Sequence, residues 1–177
     1  MESRIMKKTR AKILTGVILL AAMLLICGIA WAKATKIYHV TGTSYITPSE
    51  EEPLKEWTDD YGIWHIRGKV SNWVHEGDLE GPGVGVINLN FDYATGNGDE
   101  SGYSSSFVTW EGLSGTFEGT WNLIYTDWVG IGHAVYLGTG DFAGMKLIED
   151  LNINFTVTPE PPYALNFEGI ILDLHGE

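Results

Sequence analysis

Few side chains in this sequence have both the type and the setting for chemistry. His133 stands in the alternating run Val129, Ile131, His133, Val135, Leu137, on a face that otherwise reads as apolar. An imidazole there could be an acid/base group or a ligand anchor inside a core, or a hydrogen-bonded core histidine. Phe91, Tyr93, Trp121 and Tyr125 lie on two other apolar faces. Such rings can hold a small apolar ligand or stack on a sugar, and they can equally just fill an interior. Asp92, Asn97, Asp99 and Glu100 gather oxygen atoms around one turn, but their spacing matches no EF-hand loop and suits an ordinary hairpin turn. His65 and His75, with Glu76 and Asp78 nearby, show no HxH or HExxH spacing. No G-x-S-x-G elbow is present. The expectation is therefore no metal, no cofactor and no recognisable catalytic set, with His133, Trp121, Tyr125, Phe91 and Tyr93 as candidate ligand contacts.

The elements that must position these residues are strands. Helical periodicity is absent after residue 32, whereas period-two alternation recurs. Ile87, Leu89, Phe91 and Tyr93 share a face; so do Phe117, Trp121, Leu123 and Tyr125, and so do Leu151, Ile153, Phe155 and Val157. The pattern predicts eight strands near 36–47, 62–76, 83–94, 102–111, 115–126, 129–138, 144–157 and 163–174. Gly96-Asn97-Gly98-Asp99 marks a turn between the third and fourth. The acidic, proline-containing stretch 48–60 predicts a solvated loop with at most one helical turn. A phase change at Gly169, between Phe167 and Ile170, predicts a bulge or a bend. Eight alternating strands joined by short loops suit an all-β fold, an antiparallel eight-stranded barrel, with a two-sheet sandwich as the alternative.

Leu137-Gly138-Thr139-Gly140-Asp141-Phe142-Ala143-Gly144-Met145 contains a G-T-G-x-F-x-G core between two strands. It resembles the corner found late in eight-stranded barrels of the dirigent and allene oxide cyclase type. A shorter version occurs as Gly115-Thr116-Phe117-Glu118-Gly119, and Gly77-Asp78-Leu79-Glu80-Gly81 is a looser echo. The resemblance, over residues 113–157, implies the barrel and no particular activity, and no catalytic set carries over. In physical terms the glycines allow close backbone approach, and the central apolar residue can plug a barrel end.

Residues 13–32 form twenty uncharged residues behind a basic cluster. At a rise of about 1.5 Å per residue such a run just spans a hydrocarbon core of about 30 Å. The basic flank predicts a cytoplasmic N-terminus and an external C-terminal domain. Two fates fit. Ala30-Trp31-Ala32 has the pattern of a signal-peptidase site, and the length of the run suits a retained helical anchor. The expected organisation is a signal or anchor in 1–32, a linker, first strand and acidic loop in 33–60, and the rest of the barrel in 61–177. Of the 11 basic residues five precede the apolar run, as does one of the 23 acidic residues, which leaves six against 22 and a net charge of −16 beyond residue 32. That surface excludes a nucleic-acid partner and leaves residues 13–32 as the only membrane contact. Cys27 lies within the apolar run, so the exported part can form no intrachain disulfide. The expected function is an exported or membrane-tethered binding or structural module whose partner is a small apolar ligand. The alternatives are a small isomerase or cyclase with a lumen site, and an envelope protein that uses its acidic surface.

Overall fold

Period-two alternation over runs of about twelve residues, broken by tight turns, produces long antiparallel strands. The computed structural model describes residues 36–174, and these contain nine of them. They are β1 (Lys36–Pro48), β2 (Lys55–Thr58), β3 (Trp64–Gly77), β4 (Gly81–Asp92), β5 (Asn97–Trp110), β6 (Leu113–Thr126), β7 (Val129–Gly140), β8 (Met145–Asn154) and β9 (Tyr163–Asp173). Every pairing is antiparallel, in the order β1-β9-β8-β7-β6-β5-β4-β3-β2, and a further β1–β3 pairing closes the sheet into a ring. The apolar run 13–32 lies outside the described residues, and no helix among the described residues is long and apolar enough to cross a membrane.

The eight expected strands correspond to β1 and β3–β9. Three local expectations need correction. First, Lys55–Thr58 is a strand, not loop: β1 departs after Pro48, and β2 takes over the edge of β3 through the register Lys55↔Arg67 to Thr58↔Trp64. A stack of Trp57 on His65 (4.5 Å between ring centres) and a bond from Trp64 Nε1 to Glu56 Oε1 (2.8 Å) hold this short strand against the tendency of its charges and of the acidic, proline-containing stretch before it to stay solvated. Second, registers run unbroken through Gly169 on both sides; the bulge instead falls in β3, between Ile66 and Lys69, where Gly68 adopts φ +70°. Third, the turn after β4 comes earlier than Asn97, which already pairs with Asp92. Asp92 organises that turn by accepting from Ala94 N (2.8 Å) and Thr95 Oγ1 (2.7 Å).

Inside the ring, large and small residues face each other, as a narrow closed sheet requires. Trp121 lies over Gly102, Tyr125 over Gly130 and Trp73 over Gly85. A Cβ on Gly130 would come within 2.5 Å of the Tyr125 ring. This matching sets the phase of β7: Gly130, Gly132, Ala134 and Tyr136 point inward, and Ile131, His133, Val135 and Leu137 point out. The apolar alternation of β7 thus lies on the outer surface, because the interior has no room there for branched side chains.

One end of the ring is closed. Phe142, fully buried in the loop between β7 and β8, stacks on Phe117 at 4.7 Å between ring centres and an interplanar angle of 12°. Leu79, in the loop between β3 and β4 and so at the same end of the ring, is buried in the same core. The glycine-flanked Phe142 and its looser echo Leu79 therefore occupy the same end. Phe117 sits within β6, under this plug. The chain enters β1 at this closed end, where Lys36 pairs with Asp173.

Candidate functional site

The opposite end is open. There β1, β4, β6 and β8 finish and β3, β5, β7 and β9 begin. A cavity of about 480 Å³ lies among them, bounded at its mouth by segments 48–56 and 155–163. Its wall is largely apolar, aliphatic on the inner side and with six aromatic residues, Trp64, Phe91, Tyr93, Trp128, Phe155 and Tyr163, bordering it. These rings contact one another edge-on or tilted, with centroids 5.2–5.9 Å apart for Trp64–Tyr93 (5.4 Å), Phe91–Trp128 (5.3 Å), Tyr93–Trp128 (5.9 Å) and Phe155–Tyr163 (5.2 Å).

Trp128 reaches this wall at a conformational cost. It occupies the second place of the two-residue turn between β6 and β7, with φ +69°, after Asp127 at φ +50°. Asn-Gly is the usual occupant of such a turn, and a bulky residue there is strained. The turn is fastened on both sides: Trp128 N donates to Gly96 O (2.9 Å), and Phe155 N donates to Trp128 O (3.1 Å). Gly96 has no Cβ because the indole lies against it.

Glu100 is the polar feature of the interior at this end. The register places Leu89, Glu100, Leu123, Gly132 and Leu151 at one level across five strands. Glu100 borders the cavity, and the Tyr125 hydroxyl donates to its Oε2 at 2.5 Å. Burial raises the Glu100 carboxyl to about 7, opposed in part by the Tyr125 hydrogen bond. Burial also raises Tyr125 well above the usual phenol value, with the charge of Glu100 adding to it. Ser71 lines the floor, and its hydroxyl is buried without a protein partner. Near the mouth stand Glu52, Glu56 and Lys69; the Lys69 ammonium donates to Glu51 O at 2.6 Å.

The five expected contact residues separate. Phe91 and Tyr93 line the cavity. Tyr125 is buried against Phe91 (5.4 Å) and reaches Glu100. Trp121 is buried and pairs with Trp73 at 5.8 Å, away from the cavity wall. His133 does not face the interior: its side chain is 69% exposed on the outside of β7, where Nδ1 meets Asp150 Oδ1 at 2.6 Å. The interior role expected for it is corrected by the inverted phase of that strand.

Asp92, Asn97, Asp99 and Glu100 do not converge either. Asp92 holds its turn, Asn97 accepts from Asp127 N, Asp99 accepts from Asn90 Nδ2, and Glu100 points inward. Among the described residues no group of three or more His, Cys, Asp or Glu side chains could hold a metal ion. His65 lies between Asn90 and Asp59, and His75 between Ser44 (2.7 Å) and Ser106 (2.8 Å). Burial lowers His75 to about 4, so it is a neutral core histidine at pH 7.

From Gly98 to Ser106 the inward set of β5 is Gly98, Glu100, Gly102, Ser104 and Ser106, while Tyr103 and Phe107 point out; only the last two inward residues, Val108 and Trp110, are apolar. Over that first stretch the polarity pattern is the reverse of a core-facing strand. The signal that finds Glu100 is the hairpin register, which sets Gly98 opposite inward Phe91 and so turns Glu100 inward as well.

No family model matches the chain, and no curated protein matches it. A solved structure does: a protein of unknown function from the DUF3224 family of Shewanella oneidensis MR-1. It is 17% identical, with a TM-score of 0.60, over 76% of this chain and 96% of that one. The likeness is one of fold, all-β. It lends nothing specific to the dirigent or allene oxide cyclase resemblance, which is thereby narrowed to the fold.

Proposed function

We propose that this chain is an exported or membrane-tethered β-barrel binding protein that holds a small, largely apolar molecule at the open end of its barrel. The observation that carries this reading is the asymmetry of the interior. At one end Phe142 and Leu79 plug the interior, and the concavity outside them, about 590 Å³ between the start of β1 and the β3–β4 and β5–β6 turns, is an open and mostly polar surface hollow; the other end keeps an apolar cavity of about 480 Å³ that reaches into the interior and is bordered by six aromatic residues. Small-molecule sites are concave, mostly apolar and furnished with a few polar groups, and Glu100 and Ser71 supply those here. The strained placement of Trp128 on the wall supports the same reading, because core packing alone would be served by a relaxed Asn-Gly turn. A lumen enzyme that uses His133 as acid or base is incompatible with where that residue lies. Export is supported by the basic-then-apolar layout of residues 1–32.

The neutral fluorophore phenylnaphthylamine tests the cavity. Saturable enhancement is expected with the unaltered chain, and at least roughly tenfold weaker binding with Ile87→Trp, which fills the cavity from β4. Equal uptake by both proteins would overturn the reading. A C-terminal reporter fusion, with mass analysis of the mature N-terminus, tests export and cleavage; a reporter active only in the cytoplasm would overturn that part.

A further inference from the structure

The cavity wall combines two features that point to one ligand chemistry. The first is the set of ring faces and edges contributed by Trp64, Phe91, Tyr93, Trp128, Phe155 and Tyr163. The second is the carboxylates: Glu100 within, and Glu52 and Glu56 at the mouth. Aromatic rings attract cations through their quadrupoles, most strongly where water is excluded. A partly buried carboxylate favours the same charge and disfavours an anion.

We infer that the occupant of this cavity is an organic cation, an amine or quaternary ammonium on an apolar body, with its charge between the aromatic wall and Glu100. The inference rests on the cavity being a ligand site. Glu100 is well placed as counter-ion: Tyr125 donates to one of its oxygens, and the side chain borders the open space. Trp64 is held in place by its bond to Glu56, so ring and carboxylate are presented together at the mouth. The wall rings also differ from the aromatic outside. The cation–ring contacts among the described residues both fall on Trp57, from Lys55 (4.3 Å) and Arg67 (5.3 Å). The basic group that borders the cavity, Lys69, is tied to the Glu51 carbonyl. The chain's formal charge of −12 would steer a cation toward any such mouth and repel an anion.

The test uses three probes of one skeleton on the purified full chain: phenylbutylammonium, phenylbutanol and phenylbutanoate. Tryptophan fluorescence and calorimetry would follow binding at pH 8. The expected order is ammonium tightest, the alcohol at least roughly tenfold weaker, and the carboxylate weakest. Acidification to pH 5.5 protonates Glu100, which titrates near 7 among Tyr125, Tyr93, Tyr163, Lys69, Glu52 and Glu56. It should weaken the ammonium by roughly tenfold more than the alcohol. Glu100→Gln should produce the same selective loss and abolish that part of the pH dependence. Should Glu100→Gln fail to fold, the probe order and pH profile of the unaltered chain decide. If the alcohol binds as tightly as the ammonium, the cation inference falls and the cavity reading stands. If none of the three binds, both fall.

Discussion

The two ends of this ring are built by the same strands and end differently. At the closed end, loop residues Leu79 and Phe142 turn inward and are 2% and 0% exposed. At the open end, Tyr93 and Trp128 sit in turns that place rings around a space without filling it. The closed end is close-packed, so it resists any change of volume. At the open end all the rings but buried Phe91 are partly exposed and bear on empty space, so truncation of those removes less contact. Stability is therefore expected to reside at one end and recognition at the other.

The most severe way to break this division is Phe142→Ala. Loss of a fully buried aromatic that stacks on Phe117 should cost roughly 3–5 kcal/mol, read as a lower midpoint in denaturant, with probe binding at the far end unchanged while the protein stays folded. Loss of binding in step with stability would show that the ends are not independent.

Next in size is a pH effect from the middle of the ring. Glu149, 7% exposed, lies level with Trp121 and Ala134, and burial raises it to about 8. A carboxyl raised in the folded state favours folding while it is protonated. That contribution is complete below its unfolded value near 4.5 and is lost as pH rises through about 8. Glu100 acts in the same sense up to about 7. His75, lowered to about 4, acts in the opposite sense: its contribution is present above its unfolded value of 6.5 and is lost as pH falls toward 4. The window above pH 6.5 therefore isolates the carboxyls. Glu149→Gln should match the unaltered chain at pH 5 and exceed it at pH 8.5 by on the order of 2 kcal/mol, or roughly 4–8 °C in Tm. An identical shift at both pH values would mean that Glu149 is not desolvated.

Phe155→Ala sharpens the contrast from the open side. This half-buried ring should cost about 1 kcal/mol in stability yet weaken phenylbutylammonium binding severalfold. The smallest effect belongs to His133→Ala. An exposed pair with Asp150 contributes within about 0.5 kcal/mol, and neither stability nor binding should move measurably. A marked loss of binding would contradict its outward placement.

Much of the architecture was legible in the residues. Tight turns and period-two runs located all but one of the strands, and the glycine-flanked Phe142 was readable as an end plug. The candidate site was legible only in part. Phe91 and Tyr93 follow from alternation within one strand, but Trp128 reads as a turn residue and Glu100 as a polar turn neighbour. His133 was misread for the same reason that Glu100 was missed: alternation gives the period of a strand and not which face looks inward.

The sequence by itself determined eight of the nine strands, most of their turns and an all-β ring's worth of alternating faces, because these depend on local backbone preference and spacing. Tertiary structure alone decided which face of β5 and β7 points inward. Closing eight strands, β1 and β3–β9, into a ring leaves room for only so much side-chain volume at each level. Trp121, Tyr125 and Tyr136 take it, so glycine, serine and the carboxyls of Glu100 and Glu149 must face them, and the apolar residues of β7 go outside. The same closure set strand ends from distant parts of the chain around one cavity, a proximity that no local pattern encodes.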